Sequence, residues 1–272
     1  MKVQLWCDME GVAGITQWDQ VNGGAPQYAE GRRLYTNEIN AVIRGCKRAG
    51  ATEIVAIDGH GAGGQWSFNS WVHENLERGA EYINGYRWGC YTEGFENGTD
   101  CVLLPGAHAR AGTINGVLSH TISSTRWVNA YINGIPVGES GIVAAIAGSF
   151  DVPCVFASGD EVTCQEVKEV IGESIVTACV KKGLGRYAAR SLQHDEACQL
   201  IEEKVVEALS NRANWPKPFK MDPAEFRIEL HSPDQAEQYL GRPGVEQIDS
   251  RTIVARADTF WNLWDRFWKP FA

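Results

Sequence analysis

Mostly apolar runs that end abruptly in a carboxylate or an imidazole constrain this chain more than any other feature. VQLWC is followed by Asp8, Met9 and Glu10, TEIVAI by Asp58, Gly59 and His60, and CVLLPGA by His108. A strand with one wet face alternates apolar and polar residues. A strand buried on both faces reads as a near-continuous apolar run. Runs of this kind belong to a parallel sheet covered by helices, and such a sheet binds ligands at the carboxyl ends of its strands.

Helical patterns separate the runs. From Tyr28 to Lys47, Leu34, Ile39, Val42, Ile43 and Cys46 fall on one side, with Gly50 as a stop signal. A short helix is expected around Ser70 to Arg78. Asn133-Gly134 between apolar runs predicts a hairpin, and Glu139 to Phe150 a buried helix leading into strand PCVFAS (153–158). Beyond Asp160 the pattern gives a helix near 160–171, a strand SIVTACV (174–180) and an amphipathic helix at 194–211. Strands EFRIELH (225–231) and RTIVARA (251–257) and an aromatic terminal helix close the chain. The expected class is α/β: a mostly parallel sheet flanked by helices in a metal-binding catalytic domain, residues 1–160, and a second, smaller α/β domain, 161–272, for core completion or oligomerisation.

The terminal helix carries Phe260, Trp264, Phe267 and Trp268 at helical spacing, a stripe too apolar to face water. Either the chain's own core or a neighbouring subunit must cover it. The net charge of −9 argues against nucleic acid or an anionic membrane as a partner. The chain lacks a secretory signal pattern and an apolar run of about 20 residues, so a cytoplasmic location is expected. The 8 cysteines form no CxxC pair and read as reduced, buried thiols.

Strand residues two apart face the same way, so Asp8 and Glu10 project together, with Cys7 and Met9 pointing away. Two carboxylates that close repel unless a cation lies between them. Two solvated loop acids would explain Asp8 and Glu10 alone. The recurrence is more telling: His60 and His108 also follow strands, His120 lies downstream in LSHT, and Glu139 opens a buried helix. Imidazoles with carboxylates suit zinc or a similar divalent metal. The run Gly59–Gly64 also matches G-x-G-x-x-G after a strand, which leaves a nucleotide-dependent oxidoreductase as one alternative and a non-catalytic metal-binding assembly protein as another. The dinucleotide reading suffers from Asp58 facing the pyrophosphate and from an imidazole at its second position.

DMEG (8–11), DGH (58–60), GAHARAG (106–112), GVLSHT (116–121) and INGIPVGESG (132–141), in that order, resemble the block motifs of the DppA-type D-aminopeptidases, a family of zinc-dependent peptidases. DVPCVFASGDE (151–161) and VTACVK (176–181) extend the likeness, which weakens beyond about residue 181. The resemblance implies two zinc ions per subunit, with manganese or cobalt as alternatives. Asp8 would bridge them, Glu10 would bind one, and His60, His108 and Glu139 would complete the set. His120 matches the family's catalytic residue, and the expected activity is a metallo-aminopeptidase or small-amide hydrolase acting on short D-aminoacyl peptides or amides. The resemblance further implies a large homo-oligomer, a decamer of stacked pentamers. A proton-transfer or carbonyl-polarising role suits His120 better than ligation or nucleophilic attack. Asp58 is expected either to orient a ligand imidazole or to cap its strand. The Gly-rich loop at 61–64, with Trp66, Trp88 and Trp127 near the site segments in sequence, bears on the substrate.

Overall fold

The computed structural model describes residues 1–63, 67–85 and 93–268. In chain order the elements run β1 (Lys2–Cys7), α1 (Trp18–Val21), α2 (Tyr28–Arg48), β2 (Glu53–Asp58), β3 (Glu81–Ile83), α3 (Glu93–Glu96) and β4 (Cys101–Ala107). Hairpin strands β5 (Trp127–Ile132) and β6 (Ile135–Pro136) follow, then α4 (Glu139–Gly148), β7 (Cys154–Asp160), α5 (Glu161–Ile171), β8 (Val176–Gly185) and β9 (Ala188–Ser191). The remainder is α6 (His194–Ser210), β10 (Ala224–Leu230), α7 (Pro233–Glu237), β11 (Val245–Gln247), β12 (Thr252–Ala257) and α8 (Phe260–Trp268).

A 7-stranded sheet has the order β3-β2-β1-β4-β7-β8-β9. Its pairs are parallel except the terminal β8–β9 pair. Alternation along β1 explains the two faces: Val3, Leu5 and Cys7 pack with residues of α2 and α6, and Trp6 packs toward α4. A second, antiparallel sheet, β11-β12-β10-β5-β6, covers α4 together with α8. β8 and β9, which follow residue 160, extend the first sheet, and β5 and β6, which precede it, build the second. The sheets therefore draw on both sides of the division expected near residue 160.

One local expectation changes, and one open alternative is decided. Residues 70–78 form only a 3-10 turn at His73–Asn75, because side chains claim the backbone groups a helix would use. Asp58 accepts from Ser70 N–H, and Asn40 brackets Asn75 O and Glu77 N–H. The aromatic stripe is covered by the chain's own core. Phe260, Trp264 and Phe267 are buried, and each meets Phe226 of β10 at a ring-centroid distance of 5.8 Å. Trp264→Ala should therefore cost about 3–5 kcal/mol in denaturant titration, the usual loss for a buried large aromatic. The metal content of the purified variant should stay at the wild-type level. The 7 described cysteines are free, and all but Cys179 are buried; Cys90 lies outside the described residues. Among the described residues no helix is long and apolar enough to cross a membrane.

Candidate metal centre

Strand order places the site. β1 lies between β2 and β4, so the residue that follows it, Asp8, has His60 on one side and His108 on the other. The segments approach closely because two positions carry no side chain. A Cβ on Gly11 would stand 1.9 Å from Ala107 O, and one on Gly106 (φ +71) would stand 2.0 Å from Asp8 O. Backbone bonds use that proximity: Asp8 N–H donates to Pro105 O at 2.9 Å and Gly11 N–H to Gly106 O at 2.8 Å. Glu139 arrives from the second sheet, at the start of α4, and His120 from the loop between β4 and β5.

The five residues expected to hold metal converge. Asp8 Oδ1 lies 3.2 Å from His60 Nδ1, and Asp8 Oδ2 lies 3.2 Å from His108 Nε2. Glu10 Oε2 stands 3.1 Å from His60 Nδ1, and Glu139 Oε1 stands 3.2 Å from His108 Nε2. His120 joins them, its ring stacked on that of His108 with centroids 4.0 Å apart and its Nε2 3.6 Å from Glu139 Oε1. By distance alone, His120, His108 and Glu139 could surround one ion, as could Asp8, Glu10 and His108.

Backbone carbonyls fix which nitrogen of each ring faces the centre. His60 Nε2 meets Val21 O at 2.9 Å, His108 Nδ1 meets Ala109 O at 3.0 Å, and His120 Nδ1 meets Leu118 O at 2.9 Å. A carbonyl only accepts, so each of those nitrogens carries the proton. The lone pairs of His60 Nδ1 and His108 Nε2 then point at carboxylate oxygens. That arrangement needs positive charge, from a proton or from a metal ion. Burial opposes charge on these groups, yet the neighbouring carboxylates hold His60 and His108 well above the ordinary histidine range. Burial likewise opposes charge on Asp8, and the two imidazoles override it, holding its carboxyl well below the usual range. Glu10 Oε2 and His108 Nε2 are buried and make no hydrogen bond. Electron-rich buried atoms left that way fit a divalent cation.

His120 differs. Burial, reinforced by the charge on His108, holds it below the ordinary histidine value. It presents a neutral ring with a free lone pair on Nε2. Trp18 meets this ring edge-on at 5.5 Å, and Arg186 lies over Trp18 at 5.7 Å. Of the tryptophans near the site in sequence, Trp127 is buried in the core of the second sheet, its Nε1–H donating to Tyr239 Oη at 3.0 Å. Gly64, Trp66 and Trp88 lie outside the described residues.

Asp58 orients no imidazole. Its carboxylate accepts from the N–H groups of His60 and Ser70 and from Tyr35 Oη–H, and burial pushes it up to about 6. It shapes the Gly59–Gly63 loop, whose second residue turns its ring toward Asp8. No helix opens after this loop among the described residues, and the dinucleotide reading loses its support. Sequence reasoning also missed buried charged side chains that hold the site's loops. Glu38 accepts from Ala13 N–H at 2.8 Å, Asp160 from Val117 N–H at 2.8 Å, and Glu166 from Arg110 N–H at 3.0 Å. Lys181 donates to three carbonyls of residues 10–15. For Lys181 the signal was a charge at the edge of the apolar run IVTACV.

A profile of the M55 peptidases, described as D-aminopeptidases, matches residues 1–268, well past the point where the motifs fade. A D-aminopeptidase of Bacillus subtilis (strain 168) is 34% identical over 256 residues, 93% of this chain and 90% of its own length. Among solved structures, the Zn-dependent D-aminopeptidase DppA from Bacillus subtilis, a self-compartmentalizing protease, matches with a TM-score of 0.90. It is 32% identical, and the match covers 98% of this chain and 95% of that one. With a family profile spanning nearly its whole length and a curated relative aligned over most of it, the chain belongs to the M55 family of D-aminopeptidases.

Proposed function

We propose that this chain is a metallo-aminopeptidase that releases the N-terminal residue of short D-aminoacyl peptides or amides. It does so with two zinc ions held by Asp8, Glu10, His60, His108 and Glu139. The observation that carries the reading is the orientation of Asp8, whose two oxygens face two different imidazoles. One carboxylate so placed suits a bridge, with Glu10 and His60 on one side and His108 and Glu139 on the other. The pair of cations, when bound, supplies Lewis acidity and activates water. Zinc is favoured by the Zn-dependence of the B. subtilis structure and by the nitrogen and oxygen donor set.

The chain's own residues do the rest. The carbonyls of Val21 and Ala109 hold the imidazoles of His60 and His108 in one tautomer. His120 Nε2 takes a proton from the attacking water as the new C–O bond forms, and then returns it to the leaving amine as the peptide C–N bond breaks. Leu118 O keeps His120 Nδ1 protonated throughout. Trp6, Leu104 and Val143 line a small apolar cavity, room for about one water molecule, beside Asp8, His108 and Glu139.

The self-compartmentalizing relative supports a closed homo-oligomer that admits only small substrates, and the motif resemblance makes a decamer the expected form. Protein purified without chelator should carry about two divalent ions per chain, by the two-metal logic. It should turn over D-aminoacyl amides faster than their L counterparts, sediment far above 30.0 kDa and leave casein intact. Metal retained without turnover of any amide would make it a binding protein. An active monomer that digests casein would overturn the enclosed assembly.

A further inference from the structure

The segment that carries Glu10 has no regular structure of its own. Between β1 and α1 the chain turns repeatedly, and residues 10–15 carry three carbonyls that point toward one spot. The ammonium of Lys181, from β8, stands there. Its Nζ donates to Glu10 O at 2.6 Å, to Val12 O at 2.8 Å and to Ile15 O at 2.8 Å. A lysine has three N–H donors, and all three are used. Lys181 is only 2% exposed, so no water competes for these carbonyls. Other bonds complete the grip: Glu38 takes Ala13 N–H, and Gly106 O takes Gly11 N–H. Sheet register sets Lys181 opposite Asp160, beside the site.

We infer that Lys181 is a positioning residue for the metal centre: its ammonium fixes the backbone from which Glu10 reaches one of the two ions. The inference rests on the two-ion reading. A ligand carboxylate is useful only when held to within about 0.5 Å of its productive place, which needs a locked support behind it. Here that support is a single charged group that gathers backbone from three positions. Removing it takes the ammonium from the buried carbonyls of Glu10 and Ile15, leaves Val12 O with only Ile15 N–H, and loosens the Glu10 backbone, while Asp8, His108 and Glu139 keep their own anchors.

The test is a calorimetric zinc titration of the full-length apoprotein, at a temperature where circular dichroism shows every variant folded. Wild type and Ile228→Ala, a core truncation in the second sheet, should each bind two ions with matching affinities. Lys181→Met should keep one ion and bind the other about 10–100-fold more weakly, the usual effect of losing a support behind a metal ligand. In a Glu10→Gln background, Lys181→Met should add no further loss at the remaining ion, because both changes act on the same one. Lys181→Gln replaces Lys181→Met if the latter does not fold. Two ions at wild-type affinity in a folded Lys181 variant would overturn the inference, as would an equal loss at both ions. Failure of both Lys181 variants to fold beside a folded Ile228→Ala would assign the lysine a purely structural role and overturn it too. A wild-type chain that binds fewer than two ions shows, before any variant is measured, that the two-ion reading has failed.

Discussion

Asp8→Asn is expected to strip the centre of nearly all its metal and to abolish turnover, whereas Glu10→Gln is expected to retain about one ion per chain. The asymmetry follows from geometry. Asp8 Oδ1 and Oδ2 each lie 3.2 Å from the ring nitrogen of a different histidine, so a bridging aspartate would serve both halves of the proposed site. Asparagine removes the charge and turns one of those oxygens into an N–H donor aimed at a lone pair. Glu10 makes its ion pair with His60, and its replacement by glutamine keeps one oxygen available. Elemental analysis of the two variants beside wild type decides the matter. Asp8→Asn holding as much metal as Glu10→Gln would remove the bridging assignment. The backbone bond from Asp8 N–H to Pro105 O survives the change, so the strand end itself should stay in place.

His120→Ala is expected to keep its metal and to lose roughly 10²–10⁴ in kcat, the usual contribution of a positioned general acid–base group. The ring has the required form. Its Nδ1 proton is committed to Leu118 O, and its Nε2 lone pair is free, because burial and His108 disfavour a second proton. It also stands close enough to Glu139 and His108 to act as a further ligand. Metal content separates the two roles. Loss of zinc together with activity would make His120 a ligand, and the proton-transfer role would fall. Intact zinc with a large fall in kcat and a small change in KM would match proton transfer.

The strands that deliver Asp8, His60 and His108 were legible because continuous apolar runs mark doubly buried strands, and a charge at the end of such a run is conspicuous. The hairpin was legible for a conformational reason: Asn133 (φ 49) and Gly134 (φ 81) both adopt the left-handed geometry that an Asn-Gly pair tolerates. Glu139 could be named as the start of a buried helix, and as a ligand only through the family likeness. The props behind the site were not legible. Lys181 and Glu10 are 171 residues apart along the chain, and periodicity carries no information about that pairing. Trp18 escaped for the same reason, since its neighbour His120 lies on a distant loop. The failed helix at 70–78 shows the limit of local propensity: side chains from α2 and β2 bind its backbone first. The stripe on α8 announced that it needed cover and said nothing about which surface provides it.

The hairpin β5–β6 belongs to the second sheet, yet the chain passes from it almost directly into Glu139. Asp8, Glu10, His60 and His108 all hang from the first sheet. Proteins open in cooperative units whose local stabilities differ, and here one unit holds four of the five candidate ligands and the other delivers the fifth. On the two-ion proposal, loosening of the second sheet would disturb Glu139 first and leave a half-site able to keep one ion. If two ions bind as proposed, amide exchange along β5 and β10 should track how tightly the ion beside His108 is retained, and exchange along β1 and β2 its neighbour. On the two-ion proposal, the lifetime of each ion would then be tied to a different part of the fold.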